Sequence, residues 1–301
     1  MFTSSTGRLH PVWAFVVSAV FSVLAFLVAA YAAGGIAGDR ILLFEVIFRP
    51  LLALLLIALF VWLLAVADHI EDHRIAALGL PRAKGWLKQF VTGCLLGFVL
   101  TVLAMVPIAI WGHISLGFRL SRHALPRVGA VLLILILGAL AEELIFRGYP
   151  FQHLEQGIGA IAAITVFSVM FGTVHLANPG ASLWGLINTI LIGVLLSIAY
   201  LRTRALWLPW GIHFGWNLAL GFLFGLPVSG LRIFNVLVRT TATGPHWVTG
   251  GNYGVEASAT TVVVILIGLV TVWRLPLAIL SQPVSPAPET AYRDGFSGVQ
   301  P

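Results

Sequence analysis

The chain has 301 residues, of which 59% are hydrophobic and only 9% are charged, whereas a soluble globular protein carries about 25% charged residues. This composition excludes a soluble globular protein, and its long continuous apolar stretches indicate membrane-spanning helices. We attribute the net charge of +6 to basic loops beside anionic lipid and expect no nucleic-acid partner.

The apolar stretches predict an all-α fold, a polytopic membrane helix bundle of about eight transmembrane helices. Residues 1–281 are predicted to form one transmembrane helical domain, with a motif core at 129–220, and residues 282–301 a disordered tail. The predicted spans are 12–33, 41–67, 89–111, 129 onward through a glutamate pair, 157–174, 184–201, 206–226 and 257–280.

Polar segments separate the spans. Residues 68–88 predict an amphipathic segment at the membrane surface, whereas 112–128 and 227–256 read as polar or glycine-containing loops. In the second span, Glu45 and Arg49 lie four residues apart and predict an ion pair. The single cysteine, Cys94, excludes an intramolecular disulfide and a cysteine-based metal cluster. Tryptophans near the span ends, such as Trp207 and Trp210, are predicted to belong to an aromatic belt.

An even number of spans places both termini on one side of the membrane. Lysine and arginine are more frequent in the segments on that side than in the opposite loops. Because basic loops remain cytoplasmic, both termini are expected in the cytoplasm. Separately from this charge count, the expected location is the cytoplasmic membrane of a bacterium.

The fourth span contains two adjacent carboxyls and an arginine, Glu142, Glu143 and Arg147. A charged side chain at the bilayer centre costs roughly 2.5–3.5 kcal/mol even on insertion-based scales, so such groups pair or line a functional cavity. Glu143 and Arg147 lie four apart on one helix face and predict an ion pair, which leaves Glu142 free. The alternative is that these are helix-end charges at the water interface.

Two further spans hold polar groups, His175 at the end of the fifth, and His213 with Asn217 in the seventh. Each alone can be a structural residue. Together with Glu142 they supply a base for water and donors for an oxyanion, the parts for acyl hydrolysis without a covalent nucleophile. The sequence has neither a serine in a nucleophile elbow nor a His-Glu-x-x-His motif.

Three sequence patterns resemble the motifs of the CAAX prenyl protease and bacteriocin-processing (CPBP, or Abi) family of intramembrane glutamic endopeptidases. The resemblance covers mainly residues 140–217, and segments 78–80 and 249–256 also look like family features. The three patterns are Glu142-Glu143-x-x-x-Arg147, Phe171-x-x-x-His175 and His213-x-x-x-Asn217.

The resemblance implies a role for each motif residue. Glu142 would be the general base that activates water, with help from His175, inside a cavity within the membrane. His213 and Asn217 would form the oxyanion hole. Glu143 and Arg147 would support the site, and no cofactor or metal is implied.

The expected activity is hydrolysis of a peptide bond near the C-terminus of a membrane-associated peptide or lipidated protein, including prenylated CAAX-type proteins. One alternative is a zinc peptidase that uses Glu142, His175 and His213 as its metal site. Another is a membrane immunity or binding protein that retains the polar site without catalysis, or a proton-coupled carrier.

Overall fold

The computed structural model describes residues 79–81, 84–118 and 124–276. The first two predicted spans, the Glu45–Arg49 pair and the predicted C-terminal tail lie outside the described residues. The described helices are α1 (Trp86–Trp111), α2 (Ala124–Arg147), α3 (Tyr149–Ile158), α4 (Ala160–Val174), α5 (Leu183–Thr203), α6 (Trp207–Asn217), α7 (His246–Thr249) and α8 (Ala259–Arg274).

Four helical stretches in the described part are long and apolar enough to cross a membrane. They are Trp86–Trp111, Arg127–Ile158, Ala160–Ala177 and Leu183–Thr203. Over the same part of the chain, the sequence predicts six spans. The difference lies at the C-terminal end, because α6 changes to a π-helix at Leu218–Leu223 and the apolar helix α8 has only 16 residues.

The described fold is mostly helical, and the all-α prediction needs one correction. Two segments predicted to be loops pair as antiparallel strands, β1 (His113–Phe118) and β2 (Val238–Thr243), with register from His113 opposite Thr243 to Phe118 opposite Val238. The second strand is rich in β-branched residues, which favour extended backbone. Its partner lies more than a hundred residues away, so no local pattern indicates the pairing.

Helices α1 and α6 lie in backbone contact along a seam of glycines. A Cβ atom on Gly97 would lie 2.3 Å from the Ile212 carbonyl oxygen, and one on Gly215 would lie 2.3 Å from the Cys94 carbonyl oxygen. The Thr101 hydroxyl donates to the Gly97 carbonyl at 2.9 Å and lies 3.4 Å from the Trp216 carbonyl. Small residues allow this approach, as is usual where membrane helices associate.

Two tryptophans predicted to lie in the aromatic belt instead pack against other segments of the protein, Trp207 buried and Trp210 half-buried. Trp207 donates from its indole nitrogen to the Pro81 carbonyl at 2.9 Å, and Trp210 donates to the Ile136 carbonyl at 2.9 Å. Their N–H groups therefore join α6 to neighbouring segments. Trp111 and Trp273, near the ends of α1 and α8, are exposed as a belt requires.

Candidate active site

A buried ion pair on α2 supports the site. Nη1 of Arg147 lies 3.3 Å from Oε1 of Glu143, and both side chains are fully buried. The predicted pair is therefore present. The second guanidinium nitrogen of Arg147 donates to the Gly193 carbonyl at 3.1 Å, and the guanidinium lies 4.5 Å from the ring centre of Phe171. The arginine thus links α2 to α4 and α5 while it compensates the buried carboxylate.

His213 on α6 contacts the same carboxylate oxygen. Its Nδ1 lies 2.8 Å from Oε1 of Glu143, so one oxygen receives both the arginine and the histidine. An ionised carboxylate only accepts hydrogen bonds, and therefore Nδ1 carries a proton and donates it. The other ring nitrogen, Nε2, is directed toward Oε2 of Glu142 at 3.8 Å.

His175 approaches Glu142 from α4. It follows the last residue of that helix, where the chain tightens into a 3-10 turn at His175–Ala177. Its Nδ1 lies 2.7 Å from the Phe171 carbonyl oxygen, and a carbonyl accepts only, so Nδ1 again carries the proton. Nε2 is left to face Oε2 of Glu142 at 3.9 Å.

Glu142 lies where the two imidazoles converge. Its side chain is 39% exposed, in contrast to the fully buried Glu143 one residue later. The oxygen that faces both histidines, Oε2, is nevertheless enclosed and forms no hydrogen bond with the described protein atoms. Separations of 3.8 and 3.9 Å exceed a direct hydrogen bond and are of the size at which a water bridges polar groups.

Asn217 does not join these contacts. It is the last residue of α6, one turn after His213, and is half-buried. Within the described residues it makes no hydrogen bond with Glu142, His175 or His213. The structure therefore brings the two glutamates, the arginine and the two histidines together, and leaves the asparagine one helical turn farther along.

One buried carboxyl near the site was not predicted as a site residue. Glu256 accepts a hydrogen bond from the indole nitrogen of Trp216 at 2.9 Å, and Trp216 precedes Asn217 on α6. Burial raises the pKa of Glu256, although hydrogen bonds from Ser229 and Trp216 and the nearby His175 oppose that increase. The only signal in the sequence is the position of Glu256 at the end of the glycine-rich segment 249–256, which looks like a family feature.

The donor set of the site bears on the zinc alternative. Among the residues that the structure describes, no group of three or more His, Cys, Asp or Glu side chains is arranged to hold a metal ion. Oε2 of Glu142 lies 3.8 and 3.9 Å from the Nε2 atoms of His213 and His175, and elemental analysis of active protein tests the zinc alternative.

These features define a helical membrane protein with a buried carboxylate–imidazole site. Residues 124–219 match the family model of the type II CAAX prenyl endopeptidases, described as Rce1-like. Over this segment, which contains every predicted site residue, the predicted resemblance to the CAAX protease family is confirmed. The family consists of membrane proteases, so a peptide or protein substrate in the membrane is indicated. No curated protein and no solved structure matches the chain.

Proposed function

We propose that the protein is an intramembrane endopeptidase of the glutamic type, which cleaves a membrane-associated peptide or protein near its C-terminus. The observation that carries this proposal is the position of Glu142 Oε2, enclosed and facing Nε2 of two histidines at 3.8 and 3.9 Å. Because each histidine uses its Nδ1 elsewhere, both Nε2 atoms are available to a molecule bound beside Oε2 of Glu142. A water bound between this oxygen and Nε2 of His175 contacts both groups.

The first step is addition of this water to the scissile carbonyl. Glu142, assisted by His175, takes the proton as the water oxygen bonds to the carbonyl carbon. The carbonyl oxygen becomes an oxyanion, which accepts from His213 Nε2–H and the side-chain amide of Asn217. His213 carries a proton on both nitrogens in this role, and Glu143 stabilises that cation through the 2.8 Å contact at Nδ1.

Collapse of the tetrahedral intermediate breaks the carbon–nitrogen bond. The proton held by Glu142 passes to the departing amine nitrogen, and Glu142 returns to its ionised form. The second proton of the water, carried by the new carboxylic acid, also passes to the amine, so that a carboxylate and an ammonium group leave the site. The reaction forms no covalent intermediate between the protein and the substrate. Arg147 and Glu143 act indirectly, because Arg147 holds Glu143 in place, and Glu143 holds His213 and compensates its charge within an apolar surrounding.

The substrates that this site would take are C-terminal segments of membrane-associated proteins, including prenylated CAAX-type proteins. The Glu142 side chain is 39% exposed although its Oε2 is enclosed, whereas the supporting ion pair is fully buried. A segment anchored in the membrane by a lipid would hold its adjacent peptide bonds close to the membrane, where a site carried by apolar helices could bind them.

The deciding experiment measures cleavage of a farnesylated CAAX-type peptide by the purified protein in liposomes, with products identified by mass spectrometry. Glu142→Gln preserves the shape of the side chain and removes the base, so we expect kcat to fall at least 100-fold, within the range for removal of a general base. The matched control is Glu155→Gln, which breaks a 2.7 Å ion pair with the exposed Arg204 and should leave kcat unchanged.

Three outcomes would contradict the proposal. Cleavage by folded Glu142→Gln protein at the rate of the unsubstituted protein would exclude Glu142 as the base. Stoichiometric zinc in active protein, with loss of cleavage on chelation, would favour a metal mechanism. Full protection of cells by the Glu142→Gln variant in a bacteriocin challenge, without any peptide cleavage, would favour binding over catalysis.

We also propose that the protein lies in a bacterial cytoplasmic membrane with both termini in the cytoplasm. The excess of basic residues on the terminal side supports this orientation. Reporter fusions at each terminus test it, one fluorescent only in the cytoplasm and one active only after export. Export-dependent activity at either end would refute the orientation.

A further inference from the structure

Glu256 is a buried carboxyl that the reaction outlined above does not use. It is 5% exposed, and both of its oxygens accept hydrogen bonds from other segments. Oε1 accepts from the indole N–H of Trp216 at 2.9 Å, and Oε2 accepts from the backbone N–H of Ser229. Trp216 lies on α6 between His213 and Asn217, so the first of these bonds acts directly on the turn of helix that carries both.

The backbone around Glu256 is held independently of its side chain. The Asn188 amide nitrogen on α5 donates to the carbonyl of Glu256 at 2.8 Å and to the carbonyl of Ser258 at 2.7 Å. Asn188 is fully buried. Glu256 is thus anchored to α5 through its main chain and is free to act on α6 through its carboxyl.

The second hydrogen bond connects Glu256 to the segment that follows His175. Ser229 and Gly230 form a tight turn with φ of 46° and 82°, closed by a bridge between Val228 and Leu231. Gly230 lies against the Pro179 backbone so closely that a Cβ atom there would fall 2.0 Å from its carbonyl oxygen. Ser229 has a positive φ, which residues other than glycine rarely adopt. The Glu256 carboxyl accepts the hydrogen bond from the backbone N–H of Ser229.

We propose that Glu256 is a positioning residue, whose carboxyl holds the α6 turn carrying His213 and Asn217 and, through the turn at Ser229, the chain just after His175. Its function is to keep both imidazoles directed at Glu142. This inference rests on the proposed function for its kinetic consequences. It assigns no contact with substrate to Glu256.

The proposal predicts a specific kinetic pattern. Glu256→Gln retains an oxygen for one donor but presents an amide N–H₂ to the other, and Trp216→Phe removes the indole donor. We expect each variant to lower kcat about tenfold with KM changed less than twofold, because groups that act at the reacting bond are displaced while substrate binding is retained. Since both substitutions break the same contact, the double variant should lose no more than the poorer single variant.

The experiment combines this double-mutant cycle with chemical labelling of the histidines, which can be measured whether or not the protein cleaves a peptide. Kcat and KM are measured per folded molecule for both single variants and the double variant, with Glu155→Gln as the matched control. Diethyl pyrocarbonate modification of His213 and His175 is followed by mass spectrometry in the same samples. We expect the His213 label to form several-fold faster in Glu256→Gln than in the control, with the thermal unfolding transition still present.

Unchanged kcat in folded Glu256→Gln and Trp216→Phe protein would overturn the proposal, as would independent, multiplying losses in the double variant. A loss of rate accounted for entirely by a smaller folded fraction would show a purely structural role. If the unsubstituted protein cleaves no peptide, the proposed function fails, and the labelling alone decides. Histidine labelling equal to that of the control would then refute positioning by Glu256.

Discussion

The glycine seam between α1 and α6 makes Gly215→Ala the most informative single substitution. The added methyl carbon would lie 2.3 Å from the Cys94 carbonyl oxygen and 2.7 Å from its Cα atom. Both obstacles are backbone atoms, so no side-chain rotation relieves the contact. Carbon–oxygen contacts in proteins lie at about 3.3–3.6 Å, and α6 must therefore retreat from α1 by about 1 Å.

This displacement predicts two measurable losses. Overpacking of a well-packed interface costs about 1–3 kcal/mol of unfolding free energy. His213 lies on the same helix, 2.8 Å from Glu143 and 3.8 Å from Glu142, so a shift of α6 misplaces it relative to both. A misplacement of about 1 Å can reduce a catalysed rate about 100-fold, and we expect kcat to fall between tenfold and 100-fold.

The matched control is Gly138→Ala on α2, one turn before Glu142. A Cβ atom there meets nothing within 4 Å, and alanine is favoured over glycine inside a helix by about 1 kcal/mol. Gly138→Ala should therefore retain activity and unfold at the same or a higher temperature. Thermal unfolding in detergent and peptide cleavage in liposomes measure both variants. If Gly215→Ala unfolded and cleaved like the unsubstituted protein, the backbone contact would not position α6.

Three further predictions concern single polar groups. Arg147→Gln removes the charged partner of the buried Glu143 and leaves it only the hydrogen bond from His213, so the free energy of unfolding should fall by about 3–5 kcal/mol, measured by denaturant titration. A loss below about 1 kcal/mol would contradict a buried ionised carboxylate. Ser258 caps α8 by accepting from the Thr261 N–H at 3.2 Å, and Ser258→Ala should cost about 1 kcal/mol in the same titration. Burial raises the pKa of Glu256, so the folded state favours its protonated form, and the unfolding free energy should fall as pH rises from about 4.3, the ordinary glutamate pKa, to the raised value. Glu256→Gln should reduce the decrease of unfolding free energy with pH. The same decrease in this variant would show that Glu256 is not its cause.

The local part of the site followed from the sequence because it depends only on helix geometry. Glu143 and Arg147 are four residues apart in an apolar stretch, and the 3.3 Å contact between them needs no information from another helix. The motif spacing likewise predicted a resemblance to the CAAX protease family, which the match over residues 124–219 confirms for that segment. The chemical roles of Glu142, His175, His213 and Asn217 remain predictions for the kinetic experiments.

The contacts between helices did not follow from local patterns. His213 and Glu143 are seventy residues apart, and their meeting depends on how α6 packs against α2. The choice of Nδ1 as the donor atom in both histidines depends on the acceptors that surround each ring. The packing of Trp207 and Trp210 against other segments was missed because a tryptophan near a span end satisfies a belt pattern equally well.

Composition and spacing alone determined that this chain is a helical membrane protein with a carboxylate–imidazole motif set, because apolar length and the four-residue helical repeat are local properties. Tertiary structure alone decided that His213 binds Glu143, that β1 pairs with β2, and that Glu256 reaches Trp216. Each of these joins residues far apart in the chain, and their distance is set by how separate segments pack or pair, which no single segment encodes.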